Sequence, residues 1–488
     1  MTVFRVAVPY DDFVRPSRGL YGLAGFRTRL TRVFGGAVAK SERVSDVSAL
    51  MGLSLEDVVL PVYVDVEIDV EVGDVVYVTG ESGGGKSLLV RHLAAEMARH
   101  PDFSPVAASW ELLKDVRRRR PLVDCVGRDV HEAVEILSAA GLSDAFTWFR
   151  SYEQLSDGQR MRFLFAKALD SGAKTIVLDE FCSSLDRETA KATAYTLQKA
   201  ARRRRLTLVA ATAVDDLSED LNPTLKVVKH FGPFVEAKRF TYRQRPCSLL
   251  EKTVVEEGSV DDWRLLSFLH YRGHRLGGVA KIFRAVLGGR VVGVVVYSVP
   301  FLKCPGYNMF FDSSWYLGER FGNMLRVQRV VVHPSFRGIG VAKKLLTESM
   351  PLLGVAFVEI LSTMERLVPF TKGLMKSVVV DVSPAKKKLL EEFRTLFGVD
   401  VLRHGVGQII AFAERRKTLG KMRKWLATNL PKYADGKYPA ADAAKLLKIF
   451  KSSASPKVYG LWVNPDPKYE AVISRALRRT SFVDEFPQ

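Results

Sequence analysis

Apolar side chains occupy every second position from Val62 to Val72: Val62, Val64, Val66, Ile68, Val70 and Val72. A period of two is that of a half-buried strand. Gly73-Asp74 then turns the chain. Val75-Val76-Tyr77-Val78 follows as a short continuous apolar run, the pattern of a buried parallel strand. It leads into the glycine-rich stretch Gly80–Ser87. After that, Leu88, Leu89, His92, Leu93 and Met97 recur at a spacing that predicts a helix over 88–99. Residues 100–150 read as mainly helical, interrupted by Arg117–Arg120. Residues 172–230 alternate apolar runs (Thr175–Leu178, Leu206–Ala211) with helical stretches, which implies a parallel sheet. Around Pro246 the pattern passes into a second α/β unit that runs to 380, and 381–488 reads as a basic, mainly helical C-terminal region.

The chemistry concentrates where the first pattern breaks. Gly80-Glu81-Ser82-Gly83-Gly84-Gly85-Lys86-Ser87 fits G-x-x-x-x-G-K-[ST]. Glycines at these positions let backbone N–H groups converge on phosphate oxygens, and the helix that follows adds its positive end. Lys86 has the reach for the β- and γ-phosphates of ATP, and the Ser87 hydroxyl suits Mg²⁺. Thr175–Leu178 ends in Asp179 and Glu180. An acid at the end of such a strand holds Mg²⁺, which assigns Asp179 to the metal, and Glu180 is the expected general base toward the attacking water.

Between these elements lies Leu155-Ser156-Asp157-Gly158-Gln159, and Ser183-Ser184-Leu185-Asp186 follows the acids. In order and spacing, residues 60–235 resemble the ABC ATPases, with 155–159 as the signature and 183–186 as the D-loop. The resemblance implies that Ser156, Gly158 and Gln159 face ATP bound to a second copy of the chain, and hence a homodimer with two composite sites. Two positions depart from that family. No glutamine occurs between Leu88 and Glu153, leaving Asp124 as the candidate substitute, and Val214 stands where the family places a histidine. A valine side chain makes no hydrogen bond, so ATP binding is expected to survive with slow hydrolysis.

In the second unit, the apolar Leu325–Val332 precedes His333-Pro334-Ser335-Phe336-Arg337-Gly338-Ile339-Gly340-Val341-Ala342, and Lys343–Met350 reads as a helix. Arg337-x-x-Gly340-x-Ala342 resembles the [QR]-x-x-G-x-[GA] pattern of GNAT acetyltransferases. The resemblance implies that Val332 and Arg337–Ala342 hold the pyrophosphate of acetyl-CoA through backbone N–H groups. Candidate general bases are Glu319, His333, Glu359 and His270, and the stretch Met364–Met375 offers no tyrosine acid. Together with His270-Tyr271, the motifs look like an archaeal-type family in which a soluble ABC ATPase is fused to a GNAT domain. The expected fold class is therefore α/β: an ABC-type P-loop domain over 51–245, a GNAT-like domain over 246–380 and the basic region 381–488, with 1–50 left without a role. The alternative is a non-catalytic, ATP-gated binding factor whose GNAT-like part only docks.

Composition fills in the rest. The chain has 488 residues, 47% hydrophobic and 26% charged, so it is globular rather than disordered. No run approaches the roughly 18 apolar residues of a membrane span. The start, MTVFRVAVPYDDF, lacks the apolar core of a signal peptide, so a cytoplasmic location is expected. The four cysteines form no CxxC pair, which argues against a zinc site. A formal net charge of +19 favours a polyanionic partner, RNA or a ribonucleoprotein first. Residues 381–488 hold 21 Lys+Arg against 11 Asp+Glu. Arg117–Arg120, Arg202–Arg205, Lys386–Lys388 and Arg415-Arg416-Lys417 are the runs suited to phosphates. Trp425, Tyr433, Tyr438 and Tyr459 are open between base stacking and core packing.

Overall fold

A computed structural model describes residues 25–34, 41–52, 60–270, 276–302, 304, 306–366, 368–430 and 442–477. Tyr271, Tyr433 and Tyr438 lie outside the described residues. Contacts divide the chain into two compact units. The first holds 1–274 together with 283–294 and 331–345; the second holds 275–282, 295–330 and 346–488.

In the first unit, β1 (Gly25–Phe34) pairs antiparallel with β2 (Leu60–Glu71). The stretch 1–50, left without a role in sequence, thus supplies the partner of the alternating strand. Arg27 pairs with Asp69, and Arg29 with Asp65 and Glu67, across that ladder. A six-stranded sheet follows in the order β4-β5-β6-β3-β7-β8. Its strands are β3 (Val75–Gly80), β4 (Val106–Ala108), β5 (Thr175–Leu178), β6 (Thr207–Ala211), β7 (Leu225–Lys229) and β8 (Val235–Arg239). All neighbours are parallel except β7–β8. Strands buried on both faces need continuous apolar runs, and β3, β5 and β6 supply them, with Val75–Val78, Thr175–Leu178 and Thr207–Ala211 all buried. Helix α1 (Lys86–Arg99) inserts Leu89, Val90, Leu93 and Met97 into the core. It starts two residues before the apolar spacing announces it. The span 100–150 is less helical than expected, because β4 runs through it and its helices are short apart from Val130–Ala139.

Two further helices shape the site: α2 (Asp157–Asp170), capped by Ser156, and α3 (Arg187–Arg203), capped by Asp186.

A seven-stranded sheet has the order β14-β15-β13-β12-β11-β10-β9. Its strands are β9 (Val254–Glu257), β10 (Val279–Leu287), β11 (Arg290–Ser298), β12 (Met324–Val332), β13 (Phe357–Ser362), β14 (Lys376–Val380) and β15 (Lys457–Val463). Helix α4 (Val341–Ser349) follows β12. The boundary expected at 380 does not bound this sheet, since β15 from the basic region pairs with both β13 and β14. In the second unit, α5 (Pro384–Phe397), α6 (Val406–Arg415), α7 (Leu419–Asn429) and α8 (Ala443–Ala454) share one core of Phe393, Phe397, Ile409, Met422, Leu426 and Phe450. Trp425 packs on that core and donates to Glu392, and Tyr459 is fully buried on β15. Both are packing residues, so the stacking role open to them in sequence is set aside.

Candidate functional site

The carboxyl ends of β3, β4, β5 and β6 form one edge of the first sheet, where a doubly wound sheet places its ligands. The loop Gly80–Ser87 leaves β3 there. Gly80, Gly83 and Gly85 have φ of 127°, 76° and 100°, a region that side chains strain to enter. At Gly80 there is a second reason for glycine, because a Cβ would lie 1.9 Å from the Lys229 carbonyl oxygen. Glu81, Ser82 and Gly83 are exposed and Gly84 is buried against β7.

Lys86 donates to the carbonyls of Gly80 (2.9 Å) and Glu81 (2.6 Å), so its ammonium already spans the loop. Desolvation lowers its pKa, with Asp179 and Glu81 opposing. The Ser87 hydroxyl donates to Asp179 at 3.1 Å. A hydroxyl and a carboxylate together at the foot of a phosphate-type loop form the oxygen donor set that Mg²⁺ prefers. These residues fit a nucleotide with its magnesium ion.

Glu180 is exposed beside Asp179, with φ of 53°, and Cys182 two residues on has φ of 57°. Two non-glycine residues in the left-handed region within three positions place backbone strain on the second acid and just after it. Val214 is 40% exposed past β6, and its carbonyl accepts from the Tyr77 hydroxyl at 2.5 Å. Asp124 ends a short 3-10 turn and is exposed.

Three residues at this edge were not singled out in sequence. Ser109, at the end of β4, accepts from the Asp179 backbone N–H at 3.2 Å. Lys229 is fully buried behind the loop, bonded to the His230 and Gly232 carbonyls, with its ammonium 4.9 Å from the Tyr63 ring. The Tyr63 hydroxyl donates to the Gly85 carbonyl at 2.9 Å. In Leu225-Lys226-Val227-Val228-Lys229, Lys229 falls on the alternate positions that Leu225 and Val227 bury, which is the available signal for it.

The second cluster is built on α2. Ser156 and Gln159 form a reciprocal cap, the Ser156 hydroxyl accepting from the Gln159 N–H and the Gln159 side chain from the Ser156 N–H. Gly158 lies under Thr189 and Leu185, whose methyl groups a Cβ would meet at 3.2 and 3.3 Å. One turn on, Arg162 is buried, with its pKa pulled down to about 10 by desolvation. Its guanidinium donates to Thr193, to the Gly141 carbonyl and to the carbonyls of Pro334 and Ser335. Arg337 is bonded to the Val332 and Ser143 carbonyls and lies 3.4 Å from Asp144. Arg290, from β11, pairs with Glu188 on α3. The loop 333–342 therefore sits on α2, α3 and the Gly141–Asp144 turn, within the first unit.

This bears on the residues expected to hold a pyrophosphate. Gly338 and Gly340 have φ of 86° and 114°, and α4 begins at Val341, so a strand, a glycine loop and a helix do follow one another. Ile339 and Val341 are buried, and Ala342 is the second residue of the helix. The Arg337 side chain, however, is spent on Asp144 and on carbonyls. A Cβ at Gly338 would meet Thr196 of α3 at 2.9 Å.

The candidate bases separate. His333 caps the 3-10 turn 334–336, and burial lowers its pKa. Glu319 is exposed near Arg475, and His270 packs edge-on to Trp263. Glu359 is fully buried and accepts from the Phe301 N–H, the Tyr459 hydroxyl and the Tyr316 hydroxyl. Burial raises its pKa against those three donors. Among the described residues no helix is long and apolar enough to cross a membrane.

Among known families, the model of the one described as "ABC transporter" matches residues 63–183. The chain is 29% identical over 153 residues to the hemin import ATP-binding protein HmuV of Rhodococcus jostii (strain RHA1), covering 26% of this chain and 52% of that one. It is 28% identical over 213 residues to the methionine import ATP-binding protein MetN of Helicobacter hepaticus (strain ATCC 51449 / 3B1), covering 35% and 57%. The chain thus spans about half the length of the curated relatives it matches. Among solved structures, it is similar to a dimeric, post-hydrolysis ATP-binding cassette, MJ0796, bound to ADP and Pi, at 16% identity and a TM-score of 0.33, over 45% of this chain and 100% of that chain.

Proposed function

We propose that the ABC-type ATPase domain carried by this chain binds Mg²⁺-ATP at Gly80–Ser87 and hydrolyses it in a homodimer, with Ser156, Gly158 and Gln159 of each copy completing the other's site. The observation that carries this reading is the meeting of Lys86, Ser87 and Asp179 at the mouth of a glycine loop. Lys86 would release the Gly80 and Glu81 carbonyls to hold the β- and γ-phosphates. Ser87 and Asp179 would hold Mg²⁺, which supplies neutralisation of phosphate charge. Glu180 would orient water and take its proton. Val214 brings only a backbone carbonyl to its edge, so hydrolysis is expected to be slow.

Lys86→Ala tests the site. Hydrogen bonds to charged groups are worth about 1.5–3 kcal/mol, so ATP affinity should fall on the order of 10- to 100-fold with the fold intact. Equal affinity by calorimetry in a folded variant would remove the assignment.

For the segment 331–345, two readings have support. The glycine loop between β12 and α4 supports acetyl-CoA binding by Val332 and Arg337–Ala342, with acetyl transfer to an amine of a macromolecular substrate. The engagement of Arg337 by Asp144, with Arg162 of α2 bonded to the Pro334 and Ser335 carbonyls, favours the other, a non-catalytic docking element. The net charge of +19 supports RNA or a ribonucleoprotein as the macromolecule.

A further inference from the structure

We infer that the corner between α6 and α7 is a single-stranded nucleic-acid site, with phosphates along Arg415–Lys424 and one base in the adjoining cavity against Phe412. The inference rests on the polyanion reading above and gives that reading a place.

From Arg415 to Leu430 the chain carries Arg415, Arg416, Lys417, Lys421, Arg423 and Lys424 and no acidic residue. All six are exposed. Among the described residues, Arg415, Lys417, Lys421 and Lys424 enter no ion pair. The other basic run of this region differs: Lys386 is bonded to the Ser453 carbonyl and Lys387 is paired with Asp381. Of the two basic runs expected to suit phosphates in this region, the corner is thus the one with more cations outside ion pairs.

Stability does not account for these cations. Arg415 and Arg416 do sit favourably at the negative end of α6. Lys417 sits where glycine is preferred: its φ is 56°, its N–H closes the helix on the Glu414 carbonyl, and the Thr418 N–H bonds to Ala413. Lys421 lies in the first turn of α7, where the helix end is positive and a cation is disfavoured. Six like charges in ten residues add mutual repulsion, and a polyanion would relieve both electrostatic costs, the cation at the start of α7 and the repulsion within the run.

The neighbouring concavity selects the polyanion. A cavity of 490 Å³ is lined by Gly398, His404, Gly407, Gln408, Phe412 and Arg415, among others. That volume lies in the range of about 300–1,000 Å³ used for small organic ligands. The Arg416 guanidinium lies 4.5 Å from the Phe412 ring, which gives one apolar face and one cationic face beside the phosphate track. A lipid surface fits less well. The apolar face of α7, Met422 and Leu426, is buried in the bundle and is not free to enter a bilayer.

The test uses the full chain and a labelled single-stranded RNA of mixed sequence, followed by anisotropy across a salt series. In the variant Lys417→Gln/Lys421→Gln/Lys424→Gln the log–log salt slope should flatten by about 2, at roughly 0.7 for each lost phosphate contact. A control of equal charge change, Arg27→Gln/Arg29→Gln/Arg264→Gln, removes cations already paired with Asp69, Glu67, Asp65 and Asp261. Its slope should match the parent's. If both triple variants alter the slope equally, the corner is not the site although the polyanion reading stands. If the parent binds no RNA at low salt, the polyanion reading fails with it. Anionic phosphatidylserine vesicles that bind the parent where RNA does not would replace nucleic acid by a membrane surface.

Discussion

Glu359 shows how one side chain ties sequence to fold. It stands on β13 and is held by Tyr459 from β15, 100 residues later. Three donors on a buried carboxylate tie β13 to β15 and to the Phe301 and Tyr316 segments. Because burial raises its pKa in the fold, its contribution to stability is fully present below the ordinary glutamate range. That contribution is lost as pH rises through the folded value. Glu359→Gln should therefore flatten this part of the dependence of the unfolding temperature on pH, each tenfold change in proton affinity being worth about 1.4 kcal/mol. Identical pH profiles for wild type and variant would show that Glu359 does not titrate in this way. Lys229 makes a related point at the nucleotide loop. The G-x-x-x-x-G-K-[ST] spacing gives every residue of the loop, but the lysine that packs behind it comes from β7, and nothing local to the loop announces it.

At the scale of elements, the loop 333–342 is the case where motif and surroundings disagree. Its glycines adopt the positive φ values that an anion-binding loop uses, yet its arginine is bonded to Asp144 and to carbonyls. If acetyl-CoA binds there through the backbone N–H groups and also reaches the Arg337 side chain, it competes with Asp144 for the guanidinium. Asp144→Asn keeps the cap of the helix Ala145–Trp148 while removing the competing charge. It should tighten acetyl-CoA on the order of fivefold, if the freed guanidinium gains a hydrogen bond to the pyrophosphate that contributes about 1 kcal/mol net. Gly340→Glu should abolish binding, with circular dichroism to verify the fold, because φ of 114° strains any side chain. Calorimetry that finds no acetyl-CoA affinity in either wild type or Asp144→Asn would leave the loop as a joint on the signature helix. The hexapeptide pattern records which backbone shapes are allowed. It cannot record that α2 and α3, more than 130 residues earlier, press against the same loop.

For the whole molecule, local patterning reached the parallel sheet, the nucleotide loop and the acid pair, because each is written in a contiguous run. It missed what long-range pairing decides. The first strand was read as a region without a role, and β15 was read as part of a helical tail, although each is a full partner in its sheet. Ser109 was invisible for the same reason: its contact with Asp179 exists only because β4 lies beside β5. The central claim is that two copies close on ATP. Glu180→Gln leaves Lys86, Ser87 and Asp179 in place and removes only the base, so it should bind ATP without cleaving it. Sedimentation velocity of this variant with saturating Mg²⁺-ATP tests the claim most directly. A dimer more persistent than that of the wild type is the predicted result; a protein that stays monomeric under the same conditions would contradict it.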